Sequence, residues 1–98
     1  MAELFLSLCP QVRHRAVSEE GVLVHLDSGR ILVVNAVGLH IINTLTEPST
    51  HAELIASIEQ QFDVSRERAA IDLELFLAEL EREQVLLQGT RRGAAVNV

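Results

Sequence analysis

Four histidines (His14, His25, His40 and His51), one cysteine (Cys9) and fourteen Asp and Glu residues are the side chains of this 98-residue chain with chemistry to offer. A structural zinc site needs His and Cys in pairs at short helical or knuckle spacings, and these histidines have none of them. Only His14 and His25 fall where neighbouring strands could bring them opposite one another. Cys9 stands beside Pro10 with no adjacent His and no Cys-x-x-Cys partner to favour its thiolate, so it is not read as a nucleophile. Asp72, Glu74, Glu79, Glu81 and Glu83 crowd one segment, where most of them suit a solvated helix face carrying pairs such as Glu79 with Arg82. There is no glycine-rich phosphate loop and no nucleophile elbow. The residues therefore point to a protein without catalysis, metal or cofactor of its own.

Composition narrows the partners. The chain is 48% hydrophobic but only 3% aromatic, without Trp or Tyr, so its core must be aliphatic and base stacking has little to work with. A chain of this size makes one domain, burying roughly 60–65% of its unfolded surface. A net charge of -6 opposes a phosphate-binding surface and favours a neutral or basic peptide partner. A single cysteine allows no internal disulfide, which suits a reducing, cytoplasmic setting. Residues 1–10 are apolar but lack the basic start of a signal peptide, and are read as an N-terminal arm. No stretch reaches the roughly 20 apolar residues that cross a bilayer, so no membrane partner is expected.

The elements that must position these groups follow from periodicity. Residues 11–17 alternate imperfectly, as an outer strand would. Gly21 opens a clearer strand, in which Val22, Val24 and Leu26 share one face and Leu23 and His25 the other. Asp27-Ser28-Gly29 reads as a three-residue hairpin loop with Gly29 at positive φ. The third strand follows at once: Arg30, Ile31, Leu32, Val33 and Val34. Leu32 and Val34 suit the core, which leaves Ile31 and Val33 on an unusually apolar opposite face. The period then lengthens to about 3.6, and three helices follow. The first spans about 36–45, with Asn35 as N-cap and Val37, Ile41, Ile42 and Leu45 as its buried stripe. Thr50 and Glu53 form a capping box ahead of Leu54, Ile55, Ile58 and Phe62. Ser65 caps a third helix to about residue 84, whose main stripe is Ala69, Leu73, Phe76, Leu77 and Leu80. Residues 85–87 end the domain as a short extended piece, and 89–98 are expected to be a flexible tail. The fold class is α+β, a three-stranded antiparallel meander followed by three helices, with the domain at 11–88.

Two features are left without a partner. The third strand is an apolar edge with no proline, the kind of edge proteins normally cover or blunt. The third helix carries a second apolar stripe, Ile71, Leu75 and Ala78, flanked by Asp72 and Glu79. Packed side by side they would form a groove with unpaired backbone groups on one wall and apolar pockets on the other, as an extended peptide needs for β-augmentation. The same surfaces could instead bury each other across a two-fold axis, or accept the chain's own Leu4-Phe5-Leu6.

The order of Glu20-Gly-Val-Leu-Val-His-Leu-Asp-Ser-Gly29, Ile31-Leu-Val-Val-Asn35, Gly38, Ile41-Ile42, Leu45, Thr50-His-Ala-Glu-Leu54, Phe62, Val64 and Asp72-Leu-Glu-Leu-Phe-Leu-Ala-Glu-Leu80 resembles the PqqD-like proteins over about residues 12–87. These are winged-helix-like precursor-peptide recognition elements. The resemblance implies a noncatalytic adaptor that binds the leader of a ribosomally made peptide against the third strand and beside the third helix. It would present that leader to a maturation enzyme: a radical S-adenosylmethionine enzyme, a cyclase or a leader peptidase. At matching positions it implies Arg30, Ile31, Leu32, Val33 and Val34 on the strand and Arg68, Ile71, Asp72, Leu75 and Glu79 on the helix. Two positions depart from the usual pattern: Val34-Asn35 stands for Leu-Asn, and His25-Leu26-Asp27 replaces the Pro-Glu of the quinone-pathway members. The alternatives are a winged-helix nucleic-acid regulator, for which the third helix offers only Arg66, Arg68 and Arg82 among many acids, and a structural homodimer.

Overall fold

The alternating segments pair as an antiparallel meander in the computed structural model, which describes residues 3–90. Strand β2 (Val12–Val17) pairs with β3 (Glu20–His25), and β3 pairs with β4 (Ile31–Val34), so that β4 is an edge. Register places Leu23 opposite Leu32 and Gly21 opposite Val34. Gly21, Leu23 and His25 face inward with Leu32 and Val34, whereas Ile31 and Val33 point out and are 66% and 65% exposed. His14 lies opposite Leu23, and His25 opposite Val12, so the two histidines are diagonal neighbours and not a direct pair. The turn before β4 is one residue longer than the sequence suggests. Gly29 N–H donates to His25 O and His25 N–H to Arg30 O, so Leu26 belongs to the loop, with Gly29 at φ 74°.

The helices are α1 (Ala36–Thr44), α2 (His51–Gln61) and α3 (Arg66–Arg82). Each expected cap is present. Asn35 accepts from Gly38 N–H, Thr50 and Glu53 form the reciprocal capping box, and Ser65 accepts from Arg68 N–H. Leu23, Ile41, Ile42, Leu45, Leu54, Ile58, Leu73, Leu80 and Val85 are fully buried where sheet and helices meet. His40 joins α1 to α2, its Nε2 2.6 Å from Ser57 Oγ and its ring edge-on to Phe62.

Four residues of the segment expected to be an N-terminal arm form a strand of a second sheet. Strand β1 (Phe5–Leu8) runs between β5 (Ser49–Thr50) and β6 (Leu86–Gly89), all antiparallel, and Leu6 and Ser7 are buried. Phe5–Leu8 is thus paired on both edges, and Leu4-Phe5-Leu6 does not lie in the groove beside β4. Of the expected tail, residues 89 and 90 are described and 91–98 lie outside the described residues. No described helix is long and apolar enough to cross a membrane.

The end of α3 is tied to the β3–β4 hairpin through His25. Its Nδ1 lies 3.3 Å from Asp27 N–H, which can only donate, so Nε2 carries the proton and donates to Gln84 O at 3.1 Å. Gln84 holds this position at φ 60°, a left-handed conformation that disfavours a Cβ. Gln84→Gly is expected to raise stability by about 0.5–1 kcal/mol, the relief of strain being partly offset by the looser unfolded chain. A denaturation midpoint that falls would show the Gln84 side chain to be stabilising.

Candidate functional site

The β4 edge acquires its character from hydrogen-bond parity. Residues facing one another across antiparallel strands alternate between bonded and non-bonded pairs. Since His25 N–H donates to Arg30 O, the bonded positions of the third strand are Arg30, Leu32 and Val34, whose groups point at β3. The N–H and C=O of Ile31 and Val33 point the other way, along an edge that no described strand covers. That edge can accept a further strand without disturbing the sheet.

Helix α3 supplies the opposite wall. A hollow of ≈ 500 Å³ lies between them, lined by residues 30–35 of the strand and by Phe76, Glu79 and Glu83 of α3. It adjoins a further hollow of ≈ 410 Å³, which shares Asn35, Phe76 and Glu79. This neighbour has Val37, Gly38 and Ile41 of α1 on one side and Arg68, Asp72 and Leu75 of α3 on the other. Through these shared residues the two adjoin as one groove, lined by both polar and apolar side chains.

Of the residues expected here, Arg30, Ile31, Leu32, Val33 and Val34 line the strand side and Arg68, Asp72, Leu75 and Glu79 the helix side. Leu75 is 69% exposed, a large apolar side chain with room for a partner. Ile71 lines neither hollow; it is 56% exposed on the outer shoulder of α3. Ala78 belongs to a different cleft, with Leu4, Leu77 and Leu86. The second stripe thus divides, because Ala78 is three residues from Leu75 and so turned about 60° around the helix. Asn35, Val37, Gly38, Ile41, Phe76 and Glu83 line the groove although their sequence pattern does not place them there. One signal was available: a glycine inside a helical pattern often marks close approach. A Cβ on Gly38 would lie 2.9 Å from Val34 Cβ and 3.0 Å from Phe76 Cε1.

Arginine offsets each groove carboxylate. Arg30 grips Glu83 through two contacts, Nε to Oε1 at 2.8 Å and an Nη2 bond to Oε2 at 3.0 Å. Arg68 Nε is 3.3 Å from Asp72 Oδ1, and Arg82 donates to Glu79 Oε1 at 2.9 Å. The more exposed pairs, Arg68–Asp72 and Arg82–Glu79, contribute about 0–1 kcal/mol each. They leave polar groups that an incoming chain can engage, and none is arranged as a nucleophile with its base. Among the described residues, no three His, Cys, Asp or Glu side chains could together hold a metal ion.

Fold and groove define a small α+β domain in which a helix faces an open edge strand. Residues 20–86 match the family described as coenzyme PQQ synthesis protein D, PqqD. The chain belongs to that family. Among solved structures it is similar to TbiB1 in complex with the TbiA(beta) leader peptide, with 29% identity and a TM-score of 0.75. That match covers 82% of this chain and 93% of TbiB1. Comparison with curated proteins finds no match.

Proposed function

We propose that this protein is a noncatalytic adaptor that binds the leader of a ribosomally made precursor peptide and presents it to a modifying enzyme in the cytoplasm. The observation that carries the reading is the outward row of N–H and C=O groups on Ile31 and Val33 beside the groove walled by α3. A leader strand would pair with those groups, and its inward side chains would enter the hollows near Phe76 and Leu75. Membership in the PqqD family and the likeness to a protein solved with its leader peptide support this use of the groove. The enzyme served would be a radical S-adenosylmethionine enzyme, a cyclase or a leader peptidase.

The test is a ¹⁵N–¹H NMR titration with the leader of the precursor encoded beside this chain, and duplex DNA as control. Saturable shifts confined to residues 30–35 and 68–79 are expected. No shift with a verified leader would overturn the reading, and shifts with DNA alone would favour a regulator of the winged-helix kind. Leu75→Arg supplies a second check. It places a charge on an apolar wall of the groove and is expected to weaken leader binding by about 2 kcal/mol, the scale of a central interface residue. Because Leu75 is mostly exposed, the unfolding midpoint should hardly move. Unaltered affinity would remove Leu75 from the interface.

A further inference from the structure

The meander has two faces, and the described residues cover only one of them. Parity along the strands gathers Val22, Val24, Ile31 and Val33 on the outer face, with Val22 opposite Val33 and Val24 opposite Ile31. These four aliphatic side chains form a block two strands wide. On β2 the residues opposite Val24 and Val22 are Arg13 and Arg15. Four other described arginines, Arg30, Arg66, Arg68 and Arg82, each lie within ion-pair distance of a carboxylate. Arg13 and Arg15 do not: Arg13 uses one guanidinium nitrogen on the carbonyls of Pro10 and Val12, and Arg15 makes no described ion pair. The carboxylate that register adds to this face is Glu20, at the far end opposite Val17. On a chain of net charge -6, the outer sheet face is thus an apolar block bordered along one side by two cations that pair with no carboxylate among the described residues.

We infer that this outer face is the docking surface for the modifying enzyme, recognising an aliphatic patch on that enzyme bordered by carboxylates. Charge complementarity fixes the chemistry of the partner. Acidic groups would find Arg15, and the guanidinium nitrogens that Arg13 does not use on Pro10 and Val12, without a described carboxylate, whereas a basic surface would meet both arginines with repulsion. Continuity fixes the occasion. Ile31 and Val33 belong both to this face and to the edge at which a leader would pair. Side chains alternate along a strand, so a leader added beside β4 would turn every other side chain onto the outer face, extending the block to a third column. The enzyme would then read adaptor and leader as one surface. A leader-loaded adaptor would bind it more tightly than an empty one, with the arginines serving both states. The identity of the partner rests on the leader-binding reading. The arginines themselves stand outside the groove, so the two ideas separate by experiment.

The double variants Arg13→Glu/Arg15→Glu and Arg13→Gln/Arg15→Gln are compared with the wild type, folding being checked by circular dichroism. Leader affinity is read by anisotropy of a labelled synthetic leader. Affinity for the modifying enzyme encoded with the precursor is read by calorimetry, with and without leader, at two salt concentrations. Both variants should hold the leader within about twofold of wild type. The glutamate pair should lose thirtyfold or more in enzyme affinity, the glutamine pair about tenfold, and the salt dependence should flatten in both. Unchanged enzyme affinity would overturn the inference, and so would a loss that only tracks loss of leader. Concentration-dependent sedimentation abolished by the same variants, with the enzyme unaffected, would assign the face to a second copy and overturn it too. If wild type binds no leader, the adaptor reading fails; arginine-dependent binding of the enzyme to the leader-free protein would still sustain this face.

Discussion

A proline at residue 32 is expected to unfold the sheet edge, whereas a proline one residue further on leaves the fold standing and weakens leader binding. The contrast comes from the parity of β4. Leu32 lies opposite Leu23 in a bonded pair, so its N–H points at β3, and its side chain packs against the core. Leu32→Pro removes that ladder bond, strands an inward carbonyl and deletes half-buried apolar surface. Together these should cost about 3 kcal/mol or more. Against a total stability of roughly 5–15 kcal/mol, the loss is severe. Val33 has its N–H on the open side and its side chain in solvent, where an edge strand tolerates proline. Val33→Pro should change stability by less than about 1 kcal/mol. It also removes the donor an added strand would use and puts a ring where that strand must lie. Binding should weaken by about 2 kcal/mol, roughly thirtyfold. Chemical denaturation and leader anisotropy on both variants give the answer. If Val33→Pro binds leader as well as wild type does, the leader does not pair along β4.

Where physical rules act over a few residues, the sequence is readable. The meander follows from period-two alternation, the hairpin from Gly29, and the three helices from Asn35, Thr50 with Glu53, and Ser65 as caps. All of these are local, and each is in place in the fold. The outward placement of Ile31 and Val33 is also legible, because Leu32 and Val34 have to face the core if the strand joins it. Of the other sheet only the extended piece at 85–87, which overlaps β6, is legible. The strands of that sheet have four, two and four residues, and β1 pairs with segments some forty and eighty positions away. Nothing in Phe5-Leu-Ser-Leu8 specifies such distant partners, and its lack of clean alternation reads equally well as a loose arm. The groove is legible in part. Angular position puts Asp72, Leu75 and Glu79 on one side of α3, but it cannot show where that side ends. Angle alone therefore groups Ile71 and Ala78 with Leu75, although Ile71 sits on the shoulder and Ala78 lines another cleft. The contribution of α1 is invisible for a different reason. Val37 and Ile41 are core-type residues by pattern, and only tertiary packing reveals that one edge of that core is open.

Gly38 is where fold and groove are joined most tightly, and Gly38→Leu is expected to damage both. The residue lies on the first turns of α1, buried, at the point where the helix crosses β4 and faces Phe76 of α3. Helix propensity alone would favour a substitution, since glycine is worse than alanine by about 1 kcal/mol in a helix interior. Contact decides against it. The new Cβ would meet Val34 Cβ at 2.9 Å, an atom fixed to the strand backbone, and the Phe76 ring at 3.0 and 3.1 Å. Val34 can yield only if α1 moves off the sheet, and Phe76 only by turning towards the groove it shares with Asn35 and Glu79. A leucine adds three further carbons to that conflict. Overpacking and the forced shift should cost about 3 kcal/mol of stability, beyond what propensity returns. Gly38→Ala already carries the Cβ conflict with Val34 and Phe76 but not the further carbons, and should lose about 1–2 kcal/mol. The groove should suffer in parallel, because a displaced Phe76 fills the space between strand and helix. At a temperature where Gly38→Leu remains folded, leader affinity should fall at least tenfold, and that of Gly38→Ala by a smaller factor in the same direction. Thermal melts locate the folded range, and anisotropy within it reads the affinity. Stability lost with leader affinity intact would mean that Phe76 does not bound the peptide site. The groove would then have to be drawn along β4 and the Arg68–Leu75 side of α3 alone.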